Sequence, residues 1–128
     1  LHLIVTQYRD RTKNKRKTLE VAEIVPRGAA GSNVQANYVY RWRARTDEFS
    51  KIGEPSRVTE ILNLHTGMTV REIDEDLKNK ERILQWMLDN NLSSIGDVGR
   101  VLKAYYTDPD AIVEAALKKV KPSKVLGD

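Results

Sequence analysis

The sequence predicts an α+β protein: a small, mostly antiparallel sheet of two hairpins, followed by a helical part of three or four helices. Two observations predict it. Residues 34–43 alternate with period two, the mark of a strand with one buried face. Residues 58–117 instead place apolar side chains at helical spacing, in runs separated by cap signals.

The first strand is expected over residues 1–9, where Leu3, Ile4 and Val5 follow one another. Three consecutive apolar residues suit a strand buried on both faces. Residues 10–17 form a turn rich in Lys, Arg and Asn, and the branched residues of 18–25 complete a hairpin. A loop is expected over residues 26–33, with Pro26, Gly28 and Gly31. In the strand over 34–43, Val34, Ala36, Tyr38, Tyr40 and Trp42 are expected on the buried side. Gln35, Asn37, Val39, Arg41 and Arg43 are expected on the other. Residues 45–48 turn the chain into a short return strand over 49–52, and Gly53-Glu54-Pro55 ends the β-rich part.

Ser56 is placed to cap a short helix carrying Val58, Ile61, Leu62 and His65, which Gly67 stops. Thr69-Val70-Arg71-Glu72 has the form of a capping box. The helix it opens is expected to bury Ile73, Leu77, Leu84 and Leu88 and to end at Asn90-Asn91. Ser93 or Ser94 opens the next, with Ile95, Val98, Val101, Leu102 and Tyr105 inward. Asp108-Pro109 supplies an N-cap and a first-turn proline for the last helix, whose stripe is Ile112, Val113, Ala116, Leu117 and Val120. The resulting division is a β-rich basic segment over 1–55, a helical subdomain over 56–120, and a tail over 121–128 that should fray.

A chain of 128 residues can bury a core of ordinary domain size, and 40% hydrophobic with 31% charged residues is a globular balance. No apolar run is long enough to span a membrane, and no signal-peptide pattern is present. The absence of cysteine excludes disulfides and thiolate chemistry and is compatible with the cytosol. The net charge of +4 is unevenly spread: residues 1–57 hold twelve basic and six acidic side chains, residues 58–128 ten and twelve. A basic β segment is suited to phosphate, nucleic acid, anionic lipid or an acidic neighbour. Leu1 is not Met and opens directly on strand-like sequence, so a fragment or a processed product is expected.

Catalytic motifs are sparse. The Gly28–Gly31 loop lacks the lysine and hydroxyl residue of a phosphate-cradling P-loop. His2 and His65 have no cysteine nearby and do not make a zinc site; His65 is expected to be a partly buried packing residue. Glu72, Asp74, Glu75 and Asp76 occupy the first turns of a helix, where the macrodipole favours them. Ser56, Ser93 and Ser94 are better caps than nucleophiles. Tyr38, Tyr40 and Trp42 interleave with Arg41, Arg43 and Arg45 as in single-strand nucleic-acid binders. The alternation, however, puts the arginines on the face without the rings. Trp86 with Met87 is expected in the core or at a subunit interface, and at most one ring of Tyr105-Tyr106 is fully buried.

Three segments together resemble the archaeal branch of the type II/IV secretion ATPase family, the motors of protein secretion, type IV pilus assembly and the archaellum. They are Leu3-Ile4-Val5-Thr6-Gln7 with the basic turn and Thr18-Leu19-Glu20-Val21-Ala22-Glu23-Ile24; Asn37-Tyr38-Val39-Tyr40-Arg41-Trp42 with Thr46-Asp47 and Phe49; and the stretch from Arg82 to Ile112. The resemblance implies the C-terminal portion of a P-loop ATPase. The intact parent would be a cytoplasmic hexamer, peripheral at the membrane and acting on a platform protein. ATP and magnesium would bind between its subunits. The family's Walker A lysine, Walker B acid and histidine box have no counterparts here, so the chain alone should be inactive and hold no cofactor. Its basic turn, Asn14-Lys15-Arg16-Lys17, departs from the family in lacking glycine, and no fixed role carries over to Arg16. Candidate nucleotide or subunit contacts are Gln7, Arg9, Arg11 and Arg16, whose charge suits phosphate or a neighbouring subunit. Candidate interface residues are Arg41, Arg43, Trp86 and Tyr106. The competing readings are a basic nucleic-acid-binding module and a non-enzymatic adaptor domain; under the motor reading no nucleic-acid partner is expected.

Overall fold

A computed structural model describes residues 3–28 and 33–127. The chain is α+β: strands β1 (Leu3–Asp10), β2 (Lys15–Arg27), β3 (Asn33–Arg43) and β4 (Glu48–Lys51) precede helices α1 (Arg57–Thr66), α2 (Val70–Asp89), α3 (Ile95–Thr107) and α4 (Pro109–Leu117). Two compact units result, Leu1–Val70 and Arg71–Asp128. The change from strands to helices at residue 55 is therefore not where the contacts divide. The first helix belongs with the sheet.

In the first unit the four strands form an antiparallel meander in the order β1-β2-β3-β4. The basic turn is tighter than expected, since Asn14 adopts φ 48°. Asparagine tolerates this left-handed conformation and so does the work of a turn glycine. Asp47, at φ 57°, does the same between β3 and β4. Strand β2 continues through Pro26, and residues 29–32 of the expected loop lie outside the described residues. β1 is an edge strand, and Leu3, Ile4 and Val5 are all exposed, against the expectation of a doubly buried strand. Among the described residues of their own unit, none buries them fully.

The alternation of β3 breaks at Val39. Tyr40 pairs with Val21 and Tyr38 with Ala22, which leaves Val39 as the extra residue of a bulge. Val39 is buried, whereas Val34 is 67% exposed and Tyr38 is exposed, reversing the expected faces at these positions. Beyond the bulge Tyr40 and Trp42 are half-buried and Arg41 and Arg43 exposed, as expected. Both Ile52 and Gly53 donate their backbone N–H to the Val39 carbonyl, at 2.8 and 3.2 Å.

The second unit is built around Ile83, Trp86, Met87, Val101, Ile112 and Ala116. Ile73 of α2 is buried as expected, but in the second half of the helix the buried stripe lies one residue behind the expected one: Ile83 in place of Leu84, and Met87 in place of Leu88. One residue is about 100° round a helix, enough to put Leu77, Leu84 and Leu88 in solvent. In α3 Val101 is buried, but Ile95 at the first turn is 93% exposed. Leu117 of the expected α4 stripe is exposed as well. The caps follow the sequence closely. Ser94 and Asp97 make a reciprocal capping box, and Asp108 accepts from the Ala111 N–H at 3.1 Å. Asn91, at φ 55°, closes α2. The segment expected to fray is packed instead: Pro122–Lys124 forms a 3-10 turn, and Val125 and Leu126 lie against the helical core. The Trp86 indole N–H donates to the Val120 carbonyl at 2.7 Å, satisfying a polar group that burial would otherwise strand.

Candidate functional site

The β1–β2 hairpin carries most of the candidate contacts. Its register sets Gln7 opposite Thr18 and Arg9 opposite Arg16. Directly paired residues of an antiparallel ladder share a face, as do residues two apart on one strand. Gln7, Arg9 and Arg16 therefore come together, with Thr18 beside them. Arg11 sits in the turn and stands apart from the ladder. Gln7, Arg9, Arg11 and Arg16 are all exposed.

Lys17 of the same hairpin joins Trp42 of β3 and Asp47 of the β3–β4 turn in a second cluster that the sequence did not single out. Lys17 pairs with Asp47 and lies 4.8 Å from the centre of the Trp42 ring. The Trp42 indole N–H donates to Asp47 at 2.8 Å. The Lys17 ammonium, followed by the Trp42 N–H, holds the Asp47 carboxyl below the usual carboxylate range. Tyr8, Lys15, Lys17, Trp42 and Asp47 line a shallow cleft of about 230 Å³. The signal was present as Trp42 five residues before Asp47, but Lys17 joins only through strand pairing.

The aromatic strand is arranged differently from the expected alternation. Arg41 and Tyr38 would face opposite ways on a regular strand. The bulge sets them opposite Glu20 and Ala22, two apart on β2, so they share a face. The Arg41 guanidinium lies 4.7 Å from the Tyr38 ring centre, and its Nε donates to Glu20 at 2.9 Å. Tyr40 stacks on Phe49 at 5.6 Å. One face of each of Tyr38, Tyr40 and Trp42 is thus already taken by a cation or another ring. Arg43 is exposed, opposite Glu48.

Glu23, which no motif marked, is the one buried charged side chain among the described residues. It accepts from Asn37 Nδ2 at 2.8 Å, from the Ser56 N–H at 2.7 Å and hydroxyl at 3.0 Å, and from the Val58 N–H at 2.9 Å. Ser56 precedes α1 as expected, but its side chain makes no cap bond to the helix. The cap is a carboxylate from β2, favoured at the helix N-terminus by the macrodipole. Burial by itself pushes the Glu23 carboxyl up. The Ser56 and Val58 amides, with Asn37, outweigh it and hold the pKa at about 2.

In the helical unit Trp86 is enclosed in the core, so its surface is spent within the chain. Tyr106 is 80% exposed. Tyr105 donates to Asp76 at 3.3 Å, and Asp76 also receives Lys80 at 2.5 Å. Asp76 is thus a paired carboxylate rather than only a solvated helix start. Burial, then the Asp76 charge, raises the Tyr105 pKa. His65 is exposed, not a packing residue, and His2 lies outside the described residues. Among the described residues no group of three or more His, Cys, Asp or Glu side chains is placed to hold a metal ion. No helix there is long and apolar enough to cross a membrane.

No protein-family model matches the sequence. The chain is 25% identical over 117 residues to the uncharacterized protein MJ0781 of Methanocaldococcus jannaschii, a match that takes in 90% of this chain and 16% of the relative. It thus spans about a sixth of the length of the archaeal protein it is similar to.

Proposed function

We propose that this chain is the C-terminal portion of a secretion-family motor ATPase, serving protein export, pilus assembly or the archaellum. In this reading the ATP site lies elsewhere in the parent polypeptide, and this portion transmits nucleotide-driven movement to neighbouring parts of a cytoplasmic hexamer at a membrane platform. The observation that carries the reading is β1. It is an edge strand whose Leu3, Ile4 and Val5 are exposed. A sequence suited to burial on both faces fits a strand that a larger sheet covers. The order of strand, basic hairpin, second hairpin and capped helices supports it, as does a much longer archaeal relative. The residues here do not fit an ATP–magnesium centre: no P-loop lysine is present, and no carboxylate group among the described residues is placed for a metal. No step of hydrolysis is therefore assigned to them.

The test is the coding sequence upstream of Leu1 together with ATP turnover. A P-loop lysine and a Walker B acid upstream, hydrolysis by the parent and none by the 128-residue chain are expected. Hydrolysis by the chain alone, or a parent without those motifs, overturns the reading. The occupied ring faces of Tyr38, Tyr40 and Trp42 weigh against a stacking platform for nucleic acid.

A further inference from the structure

The hairpin places two arginines directly across from each other. Arg9 pairs with Arg16, which sets their Cβ atoms roughly 5 Å apart on one face. Like charges so placed are destabilising unless something lies between them. Among the described residues neither guanidinium has an ion-pair partner, while Lys17 and Arg41 close by are both paired. Residues 7–18 hold six cations and a single carboxylate, Asp10. Asp10 is opposite Lys15, one residue out of phase with the Arg9–Arg16 pair and so on the other face. Its Oδ1 is already taken by the Thr12 and Lys13 amides of the turn. Farther along β2, Glu20 is bonded to Arg41 and Glu23 to Asn37, Ser56 and Val58, so no carboxylate of the hairpin is bonded to the arginine pair.

Next to that pair on the same face stand Gln7 and Thr18. The four side chains present two guanidinium forks, an amide and a hydroxyl, all able to donate. A carboxylate carries one charge against two guanidiniums, and two bidentate forks would use all of its roughly four lone-pair sites, leaving none for Gln7 or Thr18. A phosphate group, with three terminal oxygens and up to two charges, can accept from both guanidiniums and still take a bond from Gln7 or Thr18. We propose that the Gln7–Arg9–Arg16–Thr18 face of the β1–β2 hairpin is a binding site for the phosphate group of a small anion, seated between the two guanidiniums. The site stands whether or not the parent is a motor.

Calorimetric titration of the 128-residue chain with pyrophosphate at about 0.15 M ionic strength tests it. Arg9→Gln and Arg16→Gln should each weaken binding on the order of tenfold or more, the loss of a hydrogen bond to a charged group. Arg16→Lys should weaken it too, since the charge stays but the fork is lost. Lys13→Gln and Lys15→Gln remove the same charge from the turn and the opposite face, and should leave affinity within about threefold. Circular dichroism checks that each variant folds. ATP in place of pyrophosphate distinguishes the sources of the group: equal affinity marks a free phosphate site, tighter binding with the same dependence on Arg9 and Arg16 marks a nucleotide. Equal losses in all four Gln variants would reveal a diffuse basic surface and overturn the site, as would no binding of either ligand or binding of a single-stranded oligonucleotide alone.

Discussion

Glu23 shows how one side chain fixes a junction. Its carboxylate takes the backbone amides at the start of α1 and the Asn37 amide of β3. The strand, the neighbouring strand and the helix are therefore oriented by a single charge. Glu23→Ala leaves those donors buried without an acceptor and should cost about 1–3 kcal/mol, read by urea unfolding and by faster amide exchange across α1. The pH dependence has a definite sign. The folded carboxyl titrates at about 2, below the ordinary value of 4.5. A depressed folded pKa contributes stability that is complete above the unfolded value and disappears as pH falls toward the folded one. Wild-type stability should decline between roughly pH 4.5 and 2 by up to about 3 kcal/mol on this account, and Glu23→Gln should flatten that decline. An unchanged slope in Glu23→Gln would remove Glu23 from the explanation.

The elements were legible where local chemistry decides them and obscure where pairing does. Asp108-Pro109 and Ser94 announce their helices, because a cap is a contact within a few residues. Strand β3 was legible as a strand, and its faces were legible from Tyr40 onward but not before, because a bulge at Val39 depends on the register of β2. The buried stripe of α2 was misread for a related reason. Ile83-Leu84 and Met87-Leu88 offer two adjacent helical stripes of equal hydrophobicity, and only the positions of Val101, Ile112 and Ala116 select between them. The cluster of Lys17, Trp42 and Asp47 and the clasp of Glu23 join residues far apart in sequence, so neither left a local motif. Gly53 is the element-scale counterpart of the bulge. A Cβ there would stand 2.4 Å from the Tyr38 carbonyl oxygen, a backbone atom that cannot swing away. Gly53→Ala should therefore separate the Ile52–Gly53 amides from the Val39 carbonyl and destabilise the sheet by roughly 1–3 kcal/mol, within the range of overpacking a tight site. Loss of amide protection at Ile52 and Gly53, with β1 unaffected, is the expected exchange signature. Full protection at both would mean that the backbone accommodates the methyl group.

For the whole molecule, exposed apolar surface carries more information than the core. Soluble monomers seldom leave three consecutive apolar residues open on an edge strand, and natural edges are blunted by lysine, proline or a bulge. In β1 the charges Arg9 and Asp10 guard only the end near the turn, while Leu3, Ile4 and Val5 at the other end carry none. Among the described residues no further strand pairs with the outer side of β1, which lies alongside the apolar side chains. At high concentration the 128-residue chain should therefore self-associate through β1, seen as a rising weight-average mass in sedimentation velocity. Val5→Lys adds a charge to that edge and should return the chain to a monomer without loss of folded signal. Leu84→Lys places the same charge on the exposed surface of α2 and separates the two origins. If Leu84→Lys abolishes association and Val5→Lys does not, the helical surface is the sticky one, and the argument that β1 is covered by more of a larger sheet loses its support. If Val5→Lys alone abolishes it, the same strand in the parent polypeptide should be protected from exchange along its whole length, because a neighbouring strand then takes the pairing that a second copy takes here.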